Sequence, residues 1–185
     1  MKRFSAIFVD RDGTINKAGL HEYVWTPEKF EFLPGAVDGL RTLRGLCDRL
    51  IVVTNQAGVA KGLYTDEQYF ALRDWYHEEL RAKHVVIDGE FHCPHHPTEG
   101  NDQYRIVCEC RKPGTALLRK AARTFKVDLT RSCVIGDAER DMRMAKAVGC
   151  LAVHVATGPV TAVPAEADLH FQSLPEAAEH LRRTS

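Results

Sequence analysis

Three apolar runs of this chain end in a cluster of polar residues. They are VDRDGT at 9–14, VTNQAG at 53–58 and IGDAERD at 135–141. Ligands of parallel α/β sheets bind at the carboxyl ends of the strands. We therefore expect Asp10, Asp12, Thr54, Asn55 and Asp137 to gather at one edge of a sheet. Asp and Thr in a single turn are most often caps, but three clusters at one edge indicate a binding site.

The carboxylates of these clusters suit phosphoryl transfer with Mg²⁺. Asp10 and Asp137 offer the hard oxygen ligands that hold this ion while it bridges a substrate phosphate. With its charge offset in this way, Asp10 can attack phosphorus and form an aspartyl-phosphate. Asp12, two residues further on, lies on the same side of an extended chain. It can protonate the leaving alkoxide as a general acid and then activate water as a base.

The other polar residues suit the phosphate itself. Gly13 permits a tight turn through which backbone amides approach the anion. Thr54 can donate a hydrogen bond to a phosphoryl oxygen, and a lysine can offset charge in the transition state. Lys112 is the natural candidate, because it lies just before a predicted helix and directly after a cysteine-rich loop.

The cysteine-rich loop reads CPHHPTEGNDQYRIVCECRK at 93–112. Cys93, Cys108 and Cys110 with either His95 or His96 make a Cys₃His set, which is typical of structural zinc. A disulfide would leave one of the three thiols unpaired and would need an oxidising compartment. Four protein ligands leave no open position for a catalytic water, so we expect this zinc to hold the loop in shape.

The composition indicates an ordinary globular protein with a small-molecule partner. The 185 residues are 44% hydrophobic and 27% charged, and 25 basic residues offset 25 acidic ones. This predicts one domain over 1–185 and argues against nucleic acid or an anionic membrane as partner. Asp10 ends the first apolar run too early for a signal peptide, and no run is long enough to span a membrane. We expect a cytoplasmic monomer.

Apolar, β-branched runs alternate with helical patterns, which predicts a parallel sheet covered by helices on both faces. The strands are predicted at 6–10, 50–55, 133–137 and 151–158. The helices are predicted at 35–49, 66–83, 113–126 and 138–148, with a last one starting at 173.

Several single residues sharpen these predictions. Thr65 with Gln68, and the SLPE segment at 173–176, are typical of capping boxes at helix starts. Pro113 suits a first helical turn. The isolated cysteines, away from the loop, are predicted to lie in the core: Cys47, Cys133 and Cys150. The stretch from about 88 to 112 is predicted to be a loop inserted in the domain.

The motifs DRDGT, TNQ, RKP and GDAERD, in this order, resemble the four motifs of the haloacid dehalogenase-type phosphatases. The resemblance covers nearly the whole chain and implies a Rossmann-like α/β fold. It implies Asp10 as the nucleophile and Asp12 as the acid/base, whose backbone carbonyl also binds Mg²⁺. It further implies Thr54 and Lys112 as phosphate ligands and Asp137 as the second metal carboxylate.

Two further expectations depend on this resemblance. The gaps between the motifs are too short for a large cap domain, so specificity must come from loops. Asp141 is either a carboxylate that supports the metal site or an exposed helix residue, and the sequence leaves both open.

Within the family, DRDGTIN, TNQAGVAKG, CPHHP and CECRKP closely resemble the members that remove the 7-phosphate of D-glycero-D-manno-heptose 1,7-bisphosphate. Those enzymes act on the route to activated heptose for lipopolysaccharide. The resemblance implies His95 as the zinc ligand and Arg111 as the contact to the distal phosphate, where Arg111 could otherwise be solvent-exposed. It also implies two substrate-binding segments: Leu20, His21, Glu22 and Tyr23 over the open site, and Thr54, Asn55, Gln56 and Ala57 at the phosphate and sugar.

Three alternatives stay open at this point. The histidinol-phosphatase domain of histidine biosynthesis has a similar zinc loop and the same DxD turn, so histidinol phosphate is a second candidate substrate. A non-catalytic zinc-binding interaction module is a candidate of another class, although the nucleophile is present and the charge is neutral. The α or β anomer at carbon 1 of the heptose is also open.

Overall fold

The computed structural model describes residues 2–19, 22–159 and 162–184. Its strands and helices in chain order are β1 (Phe4–Val9), α1 (Ala36–Leu46), β2 (Cys47–Asn55), α2 (Asp66–Ala82), β3 (Gly89–Cys93), α3 (Ala116–Phe125), β4 (Cys133–Gly136), α4 (Glu139–Lys146), β5 (Leu151–Val155), β6 (Leu169–Phe171) and α5 (Leu174–Arg183).

The six strands form one parallel sheet in the order β3-β2-β1-β4-β5-β6. The chain moves outward from β1 to β3 on one side and then from β4 to β6 on the other. The strand order therefore reverses between β1 and β4, which is where open α/β sheets bind ligands. Val9 of β1 pairs with Ile135 of β4, so the loops that follow these two strands leave the sheet side by side. The predicted Rossmann-like sheet is confirmed.

The core has two halves, one on each face of the sheet. Ile7 of β1 packs on the side of α1, α2 and α5, and its neighbour Phe8 packs on the side of α3 and α4. Because successive side chains of a strand point to opposite faces, both halves are filled by the same strands. This explains why the strands read as continuous apolar runs. The isolated cysteines are buried, as predicted: Cys47, Cys133 and Cys150.

The helix starts follow the predicted capping only in part. At α2 the Thr65 hydroxyl accepts from the Gln68 amide, and the Gln68 side chain accepts from the Thr65 amide, which completes the capping box. At α5 Ser173 accepts from the amide of Glu176. The Glu176 carboxylate, however, accepts from the amide of Gln172 instead of Ser173, so the second box is only half formed.

Several predicted boundaries are wrong. Helix α3 begins at Ala116, because the amide of Gly114 donates to the carbonyl of Arg111 and forms a turn around Pro113. Strand β2 begins at Cys47, directly after α1 ends at Leu46. Strand β3 takes up the first part of the expected loop at 88–112, and the three-residue strand β6 was not predicted. Short strands at a sheet edge carry too few residues for a hydrophobic pattern.

No separate cap domain lies over the carboxyl edge of the sheet within the three described ranges. The connection from β1 to β2 holds a short 3₁₀ turn at Pro27–Lys29 and helix α1. The connection from β2 to β4 holds α2, β3, the cysteine loop and α3. None of the helices in the described part of the chain combines the length and the hydropathy that a membrane span requires.

Candidate active site

Three buried carboxylates meet at the strand-order reversal. Asp10 follows β1, Asp137 follows β4 and Asp141 lies on α4, and each offers a carboxylate oxygen within 4.8 Å of the other two. Asp137 Oδ1 is buried without a hydrogen-bond partner. Buried anions need a cation or a strong donor. The hard oxygen donors of Asp10 and Asp137 therefore fit Mg²⁺, which prefers carboxylate ligands of this kind.

The pKa values of Asp10 and Asp137 are raised, because both carboxylates are buried close to other carboxylates. The pKa of Asp10 is raised to about 6, chiefly because the group is buried; Lys112 opposes this increase and Asp141 adds to it. Burial raises the pKa of Asp137 to about 7, with Asp10 and Asp141 adding to the effect. A divalent cation favours the ionised forms and reverses these shifts.

Two glycines make room for Asp137. A Cβ atom on Gly13 would lie 2.4 Å from Asp137 Oδ2, and one on Gly158 would lie 1.8 Å from the same oxygen. Gly13 also has a φ of +81°, which L-residues rarely adopt. Its amide donates to the carbonyl of Asn16 at 2.9 Å. The predicted tight turn is therefore present, and the Gly13 amide itself closes that turn.

Lys112 is the buried cation of the site. Its Nζ lies 2.7 Å from Asp10 Oδ1 and 2.7 Å from Asp141 Oδ1. Burial alone would lower the pKa of Lys112, but Asp10 and then Asp141 outweigh it and raise that pKa. Asp141 is fully buried, so the alternative of an exposed helix residue is wrong.

Asn55 holds the backbone of Lys112 in place. The amide of Lys112 donates to Asn55 Oδ1 at 2.9 Å, and Asn55 Nδ2 donates to the carbonyl of Lys112 at 3.3 Å. The end of β2 and the end of the cysteine loop are thereby joined. Lys112 can reach Asp10 because its own backbone is fixed from the neighbouring strand.

Asp12 is held by three side chains. The fully buried guanidinium of Arg11 donates to both carboxylate oxygens of Asp12, with Nη2 2.7 Å from Oδ2 and 2.8 Å from Oδ1. Asn16 Nδ2 donates to Asp12 Oδ1 at 3.1 Å. Gln56 Nε2 donates to Asp12 Oδ2 at 2.9 Å. These hydrogen bonds fix the position of the Asp12 carboxylate.

Gln56 also connects Asp12 to Thr54. The same Gln56 Nε2 donates to Thr54 Oγ1 at 2.8 Å, and the Tyr64 hydroxyl donates to Gln56 Oε1 at 2.5 Å. Because Thr54 Oγ1 accepts from Gln56, its own proton is free to be donated to a phosphoryl oxygen. Tyr64 was not singled out from the sequence, since an isolated tyrosine in an apolar segment resembles an ordinary core residue.

The cysteine loop brings four ligand atoms together, and all six cysteines of the chain are free. Cys110 Sγ lies 3.1 Å from Cys93 Sγ, 3.2 Å from Cys108 Sγ and 3.2 Å from His95 Nδ1. A tetrahedral zinc with bonds of 2.3 Å to sulfur separates its ligands by about 3.7 Å. These distances are somewhat shorter than that separation, but the number and type of the donors fit a structural zinc ion, and the cluster contains no disulfide.

The two adjacent histidines differ in their surroundings. His95 Nδ1 lies in the thiol cluster, 3.7 Å from Cys93 Sγ. His96 Nδ1 instead accepts from the amide of Glu99 at 3.0 Å. His96 lines a neighbouring cavity, so His95 is the histidine that joins the three cysteines.

A cavity of about 380 Å³ opens beside Asp12 and Asp137. Arg111 lines it, and its Nη1 donates to the carbonyl of His95 at 3.2 Å, which ties this side chain to the zinc cluster. Of the residues predicted for substrate binding, the cavity wall includes Glu22, Tyr23, Asn55, Gln56, Ala57 and Arg111. Leu20 and His21 lie outside the described residues.

Lining residues that were missed from the sequence include Lys61, Glu99 and Arg140. Lys61 Nζ lies 3.0 Å from Glu99 Oε2 and 5.7 Å from the ring centre of Tyr23. Arg140 Nη2 lies 4.0 Å from Asp10 Oδ2. The GDAERD motif contains Arg140, and its position in the first turn after a strand end is the signal that could have identified it.

Known proteins of similar sequence show the family to which this chain belongs. The HAD-hydrolase-like family model matches residues 109–179. A relative from Salmonella typhi is 42% identical over 163 residues, which cover 87% of this chain and 86% of that protein. One from Escherichia coli (strain K12) is 38% identical over 185 residues, which cover 98% and 96%. Both are named D-glycero-beta-D-manno-heptose-1,7-bisphosphate 7-phosphatase.

Solved structures agree. The D,D-heptose 1,7-bisphosphate phosphatase from B. bronchiseptica, complexed with magnesium and phosphate, is 31% identical and superposes with a TM-score of 0.85, covering 100% of both chains. A putative HAD-like phosphatase from Mesorhizobium loti is 25% identical with a TM-score of 0.81, covering 99% of this chain and 88% of the other. The resemblance read from the four motifs is confirmed. The chain belongs to the HAD-like hydrolases, in the family of the D-glycero-beta-D-manno-heptose-1,7-bisphosphate 7-phosphatases.

Proposed function

We propose that this protein is a Mg²⁺-dependent phosphatase that hydrolyses the 7-phosphate of D-glycero-D-manno-heptose 1,7-bisphosphate in the biosynthesis of activated heptose. The observation that carries the proposal is the ion pair of Lys112 with Asp10, which is next to Asp137; Asp137 and Arg111 line the same cavity. A nucleophile, Asp10, and a metal site are thus close to a cavity in which Arg111 is a separate cation that suits a second phosphate. The names of the relatives favour the β anomer at carbon 1.

Asp10 is the proposed nucleophile. Its Oδ1 accepts from the Arg11 amide at 2.7 Å and from Lys112, so the carboxylate is held still and Oδ2 has fewer partners. Asp10, Asp137 and the backbone carbonyl of Asp12 would hold Mg²⁺, which when bound would offset the negative charge of the carboxylates and polarise a phosphoryl oxygen. Asp10 attacks phosphorus, the bond to the sugar oxygen breaks, and the phosphoryl group is carried as an aspartyl-phosphate.

Asp12 is the proposed general acid and base. Arg11, Asn16 and Gln56 hold its carboxylate beside the cavity. It gives a proton to the alkoxide that leaves the phosphate and later takes one from the water that hydrolyses the aspartyl-phosphate. Thr54 is proposed to donate its free proton to a phosphoryl oxygen, while Lys112 offsets the negative charge.

The cavity favours a bisphosphate over histidinol phosphate. Arg111 can bind two oxygens of a phosphate through its planar fork, and Lys61 lines the same cavity. Histidinol phosphate carries an amine and an imidazole in place of the second phosphate, so it would bring positive charge towards these two side chains. Glu22, Tyr23 and Ala57 are proposed to contact the sugar, together with Leu20 and His21.

The proposal also covers the domain organisation, the zinc site and the location of the protein. Residues 1–185 are expected to fold as a single domain and to act as a monomer on a small phosphosugar, without nucleic acid. A structural zinc at Cys93, His95, Cys108 and Cys110 is supported by the donor set. A cytoplasmic location is supported by the free thiols of this cluster, since clustered cysteines of a reducing compartment more often bind metal than form disulfides.

A substrate panel tests the proposal. Phosphate release is measured with both anomers of heptose 1,7-bisphosphate, with histidinol phosphate and with fructose 1,6-bisphosphate. We expect the highest kcat/KM for the β anomer of the heptose. A clear preference for histidinol phosphate would overturn the substrate assignment. A folded, zinc-loaded protein that releases phosphate from none of them would instead support a non-catalytic zinc-binding module.

A further inference from the structure

Arg140 lies beside the proposed nucleophile, and the resemblance to the family motifs assigns it no role. It is in the first turn of α4, three residues after Asp137, and it lines the same cavity as Arg111. Its Nη2 lies 4.0 Å from Asp10 Oδ2. Among the residues that the structure describes, only Lys112 and Arg140 bring a side-chain cation this close to Asp10.

The charges around Asp10 leave a need for a further cation. Asp12 is neutralised by Arg11, and Lys112 is shared by Asp10 and Asp141. A divalent metal ion would offset the carboxylates that remain, but it would not offset the two negative charges of an incoming phosphomonoester. A positive group that faces the cavity is needed for these charges, because water is a poor screen within a partly closed site.

The guanidinium of Arg140 is placed to meet that need. A distance of 4.0 Å to Asp10 is longer than a hydrogen bond, so its donors are not committed to the carboxylate. The side chain is 46% exposed, while that of Asp10 is 3% exposed, which leaves the guanidinium on the cavity side of the carboxylate. A planar fork of donors matches the oxygens of a phosphate.

The next arginine of the same helix shows the contrast. Arg143 is almost one turn further along α4, is 57% exposed and lies 3.7 Å from Glu139, its partner in an ion pair. It is not part of the cavity wall. The two arginines thus carry the same charge on the same helix, and only Arg140 faces the site.

We infer that Arg140 is a phosphate-binding residue of this site, which contacts the phosphoryl oxygens of the substrate. The inference rests on the proposed phosphatase function. The bound oxygens can belong to the phosphate that is transferred or to the second phosphate of a bisphosphate, and the experiment separates these two sources.

The test compares Arg140→Gln with Arg143→Gln in the Mg²⁺- and zinc-loaded protein. The dissociation constant of inorganic phosphate is measured by calorimetry, and kcat/KM is measured with p-nitrophenyl phosphate and with heptose 1,7-bisphosphate. We expect Arg140→Gln to weaken binding or kcat/KM by about tenfold or more, while Arg143→Gln stays within about twofold. Arg140→Lys keeps the charge without the fork, and we expect it to restore part of the loss.

The pattern across the probes decides between the sources. A loss with inorganic phosphate and with both substrates places the guanidinium on the transferred phosphate. A loss with the bisphosphate alone places it on the second phosphate. Equal values for Arg140→Gln and the unmodified protein with all three probes would overturn the inference, and so would an equal loss in Arg143→Gln, which would indicate a long-range effect of charge.

The failure of the proposed function has a different signature. In that case the unmodified protein would neither bind inorganic phosphate in the presence of Mg²⁺ nor release phosphate from any substrate. An active unmodified protein with an equally active, folded Arg140→Gln variant would overturn the inference about Arg140 alone. Thermal denaturation and zinc content of each variant show that the fold is intact.

Discussion

The ammonium group of Lys112 lies 2.7 Å from the carboxylate of Asp10, and both side chains are buried. These residues are far apart in the sequence, and they belong to different parts of the fold. Asp10 follows the central strand β1, whereas Lys112 ends the cysteine loop. The nucleophile proposed for this protein therefore depends on a cation that the cysteine loop supplies, and several measurable consequences come from this arrangement.

Asp10→Asn should lower kcat by about 10³-fold or more, because an amide oxygen is a poor nucleophile towards phosphorus. Steady-state phosphate release with heptose 1,7-bisphosphate measures this loss. The change is nearly isosteric, so the circular dichroism spectrum and the zinc content should stay as in the unmodified protein. Asp38→Asn on the exposed face of α1 is a matched control that should keep full activity. Retained activity in Asp10→Asn would disprove the nucleophile assignment.

Gln56→Leu should lower kcat/KM by about 10- to 100-fold, because it removes the amide that donates to both Asp12 and Thr54. It also leaves the buried Tyr64 hydroxyl without its acceptor, which should lower the free energy of unfolding by about 1–3 kcal/mol. Urea denaturation and initial rates measure the two effects.

Tyr64→Phe is the control for Gln56→Leu, since it removes the Tyr64 hydroxyl and keeps both bonds of Gln56 Nε2. We expect its kcat/KM to stay within about threefold of the unmodified protein. If Gln56→Leu were as active as Tyr64→Phe, the proposed positioning of Asp12 and Thr54 by Gln56 would be wrong.

Cys110→Ser should lose zinc and lower activity through Arg111 and Lys112, the two residues that follow Cys110 directly. Elemental analysis of the unmodified protein should give about one zinc per chain. The variant should show a lower kcat/KM, while Mg²⁺ binding at Asp10 and Asp137 should be less affected. Cys150→Ala is the control: this core cysteine lies outside the cluster, so the variant should contain as much zinc as the unmodified protein. Full turnover and unchanged substrate affinity in Cys110→Ser would contradict this coupling.

The contribution of Asp10 and Asp137 to the stability of the magnesium-free protein should fall as the pH rises from about 4 to about 7. The pKa values of Asp10 and Asp137 are raised from 3.8 to about 6 and about 7 in the folded state. At these two carboxylates the folded state therefore binds more protons than the unfolded state over this range, so their contribution to stability decreases with increasing pH. Mg²⁺ binds the ionised forms, so its stabilising effect should be larger at pH 8 than at pH 5.

Calorimetry in magnesium-free buffer and with added Mg²⁺ measures this dependence. Asp137→Asn removes one of the two titrating carboxylates and should flatten the decrease in Tm with pH. An equal increase in Tm on adding Mg²⁺ at pH 5 and at pH 8 would show that these carboxylates do not control metal binding.

The proposed catalytic residues were predictable because they lie close together in the sequence, directly after a recognisable strand. Asp10 and Asp12 occupy one turn after a strand, and the strand was recognisable from its continuous apolar run. The zinc ligands were predictable for the same reason, since Cys93, Cys108 and Cys110 lie within eighteen residues of one another in the sequence. The choice of His95 over His96 came from the resemblance, and the structure brings His95 to the three cysteines.

Other features depend on contacts between distant segments. Asp141 of α4 is buried against Lys112, which lies at the end of the cysteine loop and offsets its charge. The Gln56 amide bridges Asp12 and Thr54, and its oxygen accepts from Tyr64 in the segment before α2. Side chains such as Arg140 and Lys61 have no pattern that separates them from ordinary surface charges until the cavity wall is known.

By itself, the sequence determined the alternating α/β order, the family motifs and the two sets of metal-binding side chains. Each of these follows from the spacing of nearby residues and from hydrophobic periodicity, which are properties of the unfolded chain. Only the tertiary structure decided the strand order that sets Asp10 beside Asp137, the ion pairs of Lys112 and the position of Arg140. These depend on how segments far apart in the chain pack around one sheet, because burial and charge pairing are properties of the assembled site.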